Sequence, residues 1–311
     1  MPTPTSLKND YPKSVGIIGL GIMGSAIASH LVNAGYSTFG YDPDKRCSKE
    51  ATSIGVITRA NAMEVGSCSD LILLSLPHEQ ALNETVTHIL NNSDVTGSKP
   101  VLIDLSTLNL EAKKRNHDRL ASAGIKLFDC PISGTGAQAK TGDIVIYASG
   151  EADTYNTLIP LFNCFARRVF YIGEFGQGTK MKIAANLLVA IHNVATAEAL
   201  TLALQSGLDA EMFCEVIASG AGSSRIFELR SPLMTKGAYT PPTMKLETWE
   251  KDMTIIKQFA EEMGVSTPLF TATSPIYAEA IKQGLGEQDT AAVFTILQNM
   301  TKLNQSQIKS G

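Results

Sequence analysis

The stretch that most limits the fold stands near the start: "VGIIGLGIMG", Val15 to Gly24. It sets Gly19, Gly21 and Gly24 in G-x-G-x-x-G spacing, behind an apolar run and ahead of an amphipathic one. In that context the first glycine permits a tight turn off a strand. The second lets backbone come close to a pyrophosphate, and the third lets helix and strand pack closely. The helix N-terminus that follows offers N–H groups and partial positive charge to phosphates, so Gly19, Gly21, Ile22, Met23 and Gly24 are candidate cofactor contacts. A second strand pattern ends in "YDPD", with Asp42 at 18 residues past Gly24. A carboxylate there would accept hydrogen bonds from an adenosine ribose and repel a 2′-phosphate. NAD is therefore the expected cofactor, with NADP left open by the nearby Lys45 and Arg46.

From residue 14 to about 175, short apolar runs alternate with amphipathic stretches. Strands are expected at 14–19, 37–42, 70–76, 100–106, 125–130, 143–149 and 169–173, with helices at 22–34, 78–91, 109–123 and 151–163 between them. This alternation implies an α/β, Rossmann-type, doubly wound and mostly parallel sheet. After Gly178 the strand pattern stops, and one long helical run over 178–206 is followed by helical patterns at 209–218, 244–263, 268–283 and 289–305. The expected organisation is an NAD(P)-binding domain over 1–175 and an all-helical substrate or oligomerisation domain over 176–311, built on the long helix. The segment 222–248 reads as a loop that shapes a pocket.

Composition narrows the function. With 44% apolar and 18% charged residues in 311, the chain can bury a large core. A net charge of −4 gives no electrostatic footprint for nucleic acid or an anionic membrane. The five cysteines lie far apart, and the five histidines show no ligand spacing, so neither a disulfide framework nor a metal site is expected. The opening dozen residues are polar and Pro-rich with no long apolar region behind them, which reads as a soluble, cytoplasmic protein.

A further stretch, "GQGTKMKIAANLLVA", carries lysines into a helix that is otherwise alanine, leucine and valine. Four residues along a helix rotate only about 40°, so Lys182 and Asn186 share a face while Lys180 points elsewhere. Lys182 stands in the first turns, where the helix field is positive, beside Met181, Ile183 and Ala184. Those surroundings disfavour the ammonium and suit a proton shuttle, although a surface lysine with a snorkelling stem fits the same chemistry.

Taken in order, "GIIGLGIMG", the "LP" of Leu76 and Pro77, "DLST", "DCPISGTGAQAKTGDI", "GQGTKMKIAAN", "KDM" and "GLGEQD" resemble the β-hydroxyacid dehydrogenases, a family of the 6-phosphogluconate dehydrogenase-like superfamily. The likeness runs from about residue 14 to 298. It implies a Rossmann-type domain followed by an all-helical one, and NAD(P)-dependent oxidation of a small hydroxycarboxylic acid to a semialdehyde or keto acid. By the same resemblance Lys182 would be the acid/base and Asn186 would orient lysine or substrate. Ser133 and Gly134, with Thr135, would hold the substrate carboxylate. Leu76, Pro77 and Thr107 would line the cofactor, and Lys251 would reach it. Thr135, Gln138 and Ala185 depart from the family's usual glycine, glycine and asparagine, which leaves the particular acid open.

Three other readings bear on the same residues. A decarboxylating sugar-phosphate dehydrogenase needs further acid/base groups where Ala185, Val189 and Ala190 stand. An imine reductase on this architecture usually lacks the lysine. A silent nucleotide-binding interaction protein would not need Lys182, Asn186, Ser133 and Asp42 together. His192 reads as a packing or interface residue, and Arg225 as a surface arginine or a second anion contact. The apolar circumference of the long helix calls for burial in its domain or against another subunit, so a homodimer or homotetramer is expected.

Overall fold

The computed structural model describes residues 14–97 and 99–309. The polar, Pro-rich opening noted above lies outside the described residues. The chain forms two compact units, Met1–Lys182 and Ile183–Gly311.

The first unit runs β1 (Ser14–Ile18), α1 (Ile22–Asn33), β2 (Ser37–Tyr41), α2 (Lys45–Ser53), β3 (Ile57–Thr58), α3 (Ala62–Cys68), β4 (Leu71–Leu74), α4 (Glu79–Thr96), β5 (Val101–Asp104), α5 (Leu110–Ser122) and β6 (Leu127–Asp129). These strands pair in the order β3-β2-β1-β4-β5-β6, all parallel. There follow β7 (Ile132–Ser133), α6 (Gly136–Lys140), β8 (Val145–Ser149), α7 (Ala152–Phe162) and β9 (Arg168–Gly173). β8 is antiparallel to β6 and β7, and β9 runs parallel to β8.

Strand residues alternate between two apolar cores. Val15, Ile17, Leu71, Leu73, Ile103 and Phe128 belong to one, and Ile18, Ile72, Leu74, Leu102 and Leu127 to the other. A sheet covered on both faces explains why "LILL" is apolar throughout rather than at every second position. The expected strands are present, with β3 and β7 added, two residues each and too short to show a period. Helices α2, α3 and α6 were also not expected. Each is brief, and α2 buries only Ala51.

The helical series is α8 (Gln177–Gln205), α9 (Ala210–Ala218), α10 (Arg225–Lys236), α11 (Leu246–Glu262), α12 (Pro268–Lys282), a 3-10 turn at Thr290–Ala292 and α13 (Val293–Lys309). The division between units falls inside α8. By length and composition α8 could cross a membrane. Its Ala190, Val194, Ala197 and Leu200 instead pack in the second unit's core with Trp249, Phe270, Tyr277 and Phe294.

One expectation is corrected: 222–248 is not a loop throughout, because α10 occupies its middle. Pro232 and the glycines on either side hide this helix from pattern reading. Ser224 starts it, accepting from the Phe227 N–H at 3.0 Å. Arg230 anchors it, donating to both oxygens of the buried Asp289 at 2.8 and 3.0 Å.

A second buried charge cluster lies beneath the first unit's strand ends. Lys113 on α5 is fully buried with its ammonium 3.1 Å from Asp104 and 2.8 Å from Asp129, and it donates to the Ser106 carbonyl at 2.7 Å. Burial alone would pull this ammonium down, but the two carboxylates outweigh it and hold it above the ordinary lysine value. Removing the cation leaves two carboxylates facing each other without water. Lys113→Met is therefore expected to cost about 3–5 kcal/mol, read from the shift of a urea unfolding midpoint. A loss under about 1 kcal/mol would remove the cluster from the fold's essentials. Because the folded value is raised, the lysine's contribution is complete below pH 10.5 and fades as pH rises above it. The wild type should lose stability there, and Lys113→Met should not show that part of the loss.

Candidate active site

The C-terminal ends of β2, β1, β4 and β5, neighbours in the parallel sheet, carry Asp42, the Gly19–Gly24 turn, Leu76–Pro77 and Thr107 in turn. Open α/β sheets bind ligands at such edges. Two of the three glycines are required by the protein itself. A side chain at Gly19 would run into the Ser75 carbonyl, and one at Gly24 into the Gly19 carbonyl. At Gly21 a Cβ would meet nothing within 4 Å. Internal packing gives no reason for glycine there, whereas close approach by a phosphate does. No side chain caps α1, so its first-turn N–H groups suit an anion, and the site fits a dinucleotide. Ile22 is 70% exposed at this turn.

Asp42 braces the turn. Its carboxylate accepts from the Leu20 N–H at 2.7 Å and the Asp44 N–H at 2.8 Å. Arg46 lies 3.6 Å from Asp44, which draws its guanidinium toward an acid. The ends of β4 and β5 are joined: Leu76 N–H donates to Ser106 Oγ at 2.8 Å, and Ser106 N–H to Asp104 at 2.9 Å. The Leu76 side chain itself is in the core, while Pro77 is exposed.

Ser133, Gly134 and Thr135 lie together between β7 and α6, half-buried. Gly136 touches Ile22, since a side chain there would overlap the isoleucine, so this loop meets the dinucleotide turn. Thr135 and Gln138, two of the departures from the family pattern, cap α6 reciprocally. The Thr135 hydroxyl accepts from the Gln138 N–H at 3.4 Å, and Gln138 Oε1 accepts from the Thr135 N–H at 3.0 Å. Gln138 also donates to Asp143 at 3.1 Å. Their side chains are occupied in shaping the loop.

The start of α8 is pressed against β6 and β8. A Cβ at Gly178 would lie 2.7 Å from the Asp129 carbonyl and closer still to that of Tyr147. Gly176 takes φ 91°, a left-handed turn that delivers the chain into the helix. Thr179 donates its N–H and its hydroxyl to the Asp129 carboxylate, each at 2.7 Å. Lys182 follows in the next turn and is half-buried.

In the second unit Asn186 is 4% exposed and donates to Asp252 at 3.0 Å. The Lys251 ammonium lies 3.7 Å from Asp252. Asp252 stands in "KDM", where residue type alone gives it no role. The available signal was an acid on the buried stripe of α11, beside Trp249, Met253 and Ile256. Asp104, Lys113 and Asp129 were likewise unassigned. Arg225 pairs with Glu228 at 2.9 Å on the surface. His192 lines a shallow apolar hollow with Phe213 and Phe227. Among the described residues no group of histidine, cysteine and acidic side chains could hold a metal.

A family described as the NAD binding domain of 6-phosphogluconate dehydrogenase matches residues 14–173. Another, described as the NAD-binding of NADP-dependent 3-hydroxyisobutyrate dehydrogenase, matches residues 176–297. L-Threonate dehydrogenase of Pectobacterium atrosepticum is 30% identical over 94% of this chain and 96% of its own. The chloroplastic glyoxylate/succinic semialdehyde reductase 2 of Arabidopsis thaliana is 27% identical over 95% of this chain and 82% of its own. Among solved structures, 3-hydroxyisobutyrate dehydrogenase from Salmonella typhimurium superposes with a TM-score of 0.80 at 26% identity, covering 92% of this chain and all of that one. A dinucleotide turn in the first unit and family matches that run through both units lead to one conclusion: the chain belongs to the β-hydroxyacid dehydrogenase family and is an NAD(P)-dependent oxidoreductase acting on CH–OH groups.

Proposed function

We propose that the chain interconverts a small hydroxycarboxylic acid and its semialdehyde or keto acid, with Lys182 as general acid/base and NAD preferred over NADP. One observation carries this reading. The first turn of α8 is clamped to the strand ends of the unit that holds the dinucleotide turn, with Lys182 half-buried one turn further on.

When bound, the nicotinamide ring supplies the hydride acceptor or donor. Lys182 takes the hydroxyl proton in oxidation and returns one to the carbonyl oxygen in reduction. Ser133, through its hydroxyl, and Gly134, through its N–H, hold the substrate carboxylate and so orient the reacting carbon. Thr135 acts with them by keeping the loop capped. The Asn186 amide is oriented through Asp252, so that its carbonyl oxygen serves as the acceptor toward lysine or substrate. Leu76, by its backbone, lines the cofactor with Pro77 and Thr107, and Lys251 contributes from the helical part. We assign most of the cofactor site and the Ser133–Thr135 carboxylate loop to 1–175, and Lys182, Asn186, Lys251 and subunit assembly to 176–311. Exposed Leu188 and Leu202 on α8, with Met212 and Val216 on α9, support a homodimer or homotetramer. Burial of Ala190, Val194, Ala197 and Leu200 in a protein core supports a soluble chain, which we take to be cytoplasmic.

The test is a panel of L-threonate, 3-hydroxyisobutyrate, glyoxylate and succinic semialdehyde with either dinucleotide, followed by nicotinamide absorbance, with a cyclic imine as control. Turnover of at least one acid or aldehyde is expected; turnover of the imine alone would contradict the reading. Lys182→Ala should lower kcat by about 10²–10⁴-fold while NAD affinity stays within about twofold. Full activity in that variant would end the assignment. Asp42→Asn keeps the brace on Leu20 through its amide oxygen, gives up the bond from the Asp44 N–H, and removes the charge. Discrimination against NADP, measured as the ratio of kcat/KM values, should relax by about tenfold or more. An unchanged ratio would place cofactor choice elsewhere.

A further inference from the structure

We propose that Asp129, held by Lys113, is the positioning residue for Lys182, and that it acts through Thr179. The proposal rests on the reading of Lys182 as the acid/base. Asp129 is fully buried, and protein donors surround its carboxylate. One oxygen accepts from the Lys113 ammonium at 2.8 Å and the Thr179 hydroxyl at 2.7 Å. The other accepts from the Thr179 N–H at 2.7 Å and Ser149 Oγ at 3.2 Å. Ser149 Oγ also accepts from the Gly178 N–H at 2.9 Å.

The Gly178 and Thr179 N–H bonds tie the helix end to β8 and β6 through main-chain donors. Thr179 makes two bonds, to the two oxygens of one carboxylate, and this fixes the rotational phase of the first turn. Lys182 is three residues further on, so it leaves the helix from nearly the same side and inherits that phase. Asp129 itself is pinned in turn by Lys113, which also holds Asp104 and the Ser106 carbonyl. Past Pro131, the backbone of Asp129 runs into Ser133. One carboxylate thus stands at the root of both the lysine and the loop assigned to the substrate carboxylate. A misplacement of about 1 Å at a reacting group can cost about 100-fold in rate.

Thr179→Val removes the hydroxyl bond and keeps the N–H bond, the shape and the lysine. Its kcat on the fastest panel substrate should fall by about 10–100-fold with KM changed less than about threefold, and Thr179→Ser should restore it. Thr179→Ala, which cannot fail by crowding, is the companion if the valine does not fold. A second readout needs no substrate: acetic anhydride labelling of Lys182 relative to Lys180, by peptide mass spectrometry. That ratio should shift by about twofold or more in Thr179→Val and return in Thr179→Ser. Wild-type kcat and labelling ratio in Thr179→Val, or a serine variant as impaired as the valine one, would overturn the proposal. Should the wild type turn over nothing on the panel, the functional reading fails, and the labelling ratio still decides the positioning.

Discussion

The Asp129 carboxylate is the contact on which the start of α8 depends. It gathers a cation from α5, a hydroxyl from β8, and an N–H and a hydroxyl from the first turn of α8, all shielded from water. One lysine facing two aspartates is short of positive charge, and the partial charge at the N-terminus of α8 makes up part of the difference. An isolated buried carboxylate would be unaffordable in free energy, whereas one with this many donors is held in place by its own desolvation. The helix therefore starts where the carboxylate is, and Lys182 stands where the helix puts it.

The same economy governs the cofactor edge. Asp42 is read from sequence as a ribose acceptor, yet in the fold it first accepts from the Leu20 and Asp44 N–H groups. Bracing the glycine turn leaves the carboxylate able to accept further hydrogen bonds, because each of its oxygens can accept more than one. Gly21 complements it. Open space above that residue separates it from Gly19 and Gly24, the two glycines that the turn's own packing requires.

Much of this was legible from residues alone, and for physical reasons. Apolar runs such as "LILL" announce buried parallel strands, and Gly35 and Gly207, at φ 86° each, close α1 and α8 near their expected ends. Lys182 stood out because a charge among alanines and leucines needs a purpose. Lys113 did not stand out, since "EAKKRNH" looks like a solvated face. Only the helical phase of Leu110, Lys113, Asn116 and Leu120 marks it as part of the buried stripe. Thr135 and Gln138 were visible as departures from glycine, but their mutual cap depends on a backbone turn that residue types do not specify. Helix α10 was hidden by Pro232, whose missing N–H a helix tolerates when a buried pair such as Arg230–Asp289 holds it.

The central claim is that a single amine passes the proton while hydride moves. Chemical rescue tests it most directly: Lys182→Ala, saturated with NAD and a turned-over hydroxy acid, is titrated with small primary amines of graded basicity. Turnover should return in proportion to free amine and rise with its basicity. A variant that binds NAD normally but shows no response to any amine would contradict proton transfer at residue 182.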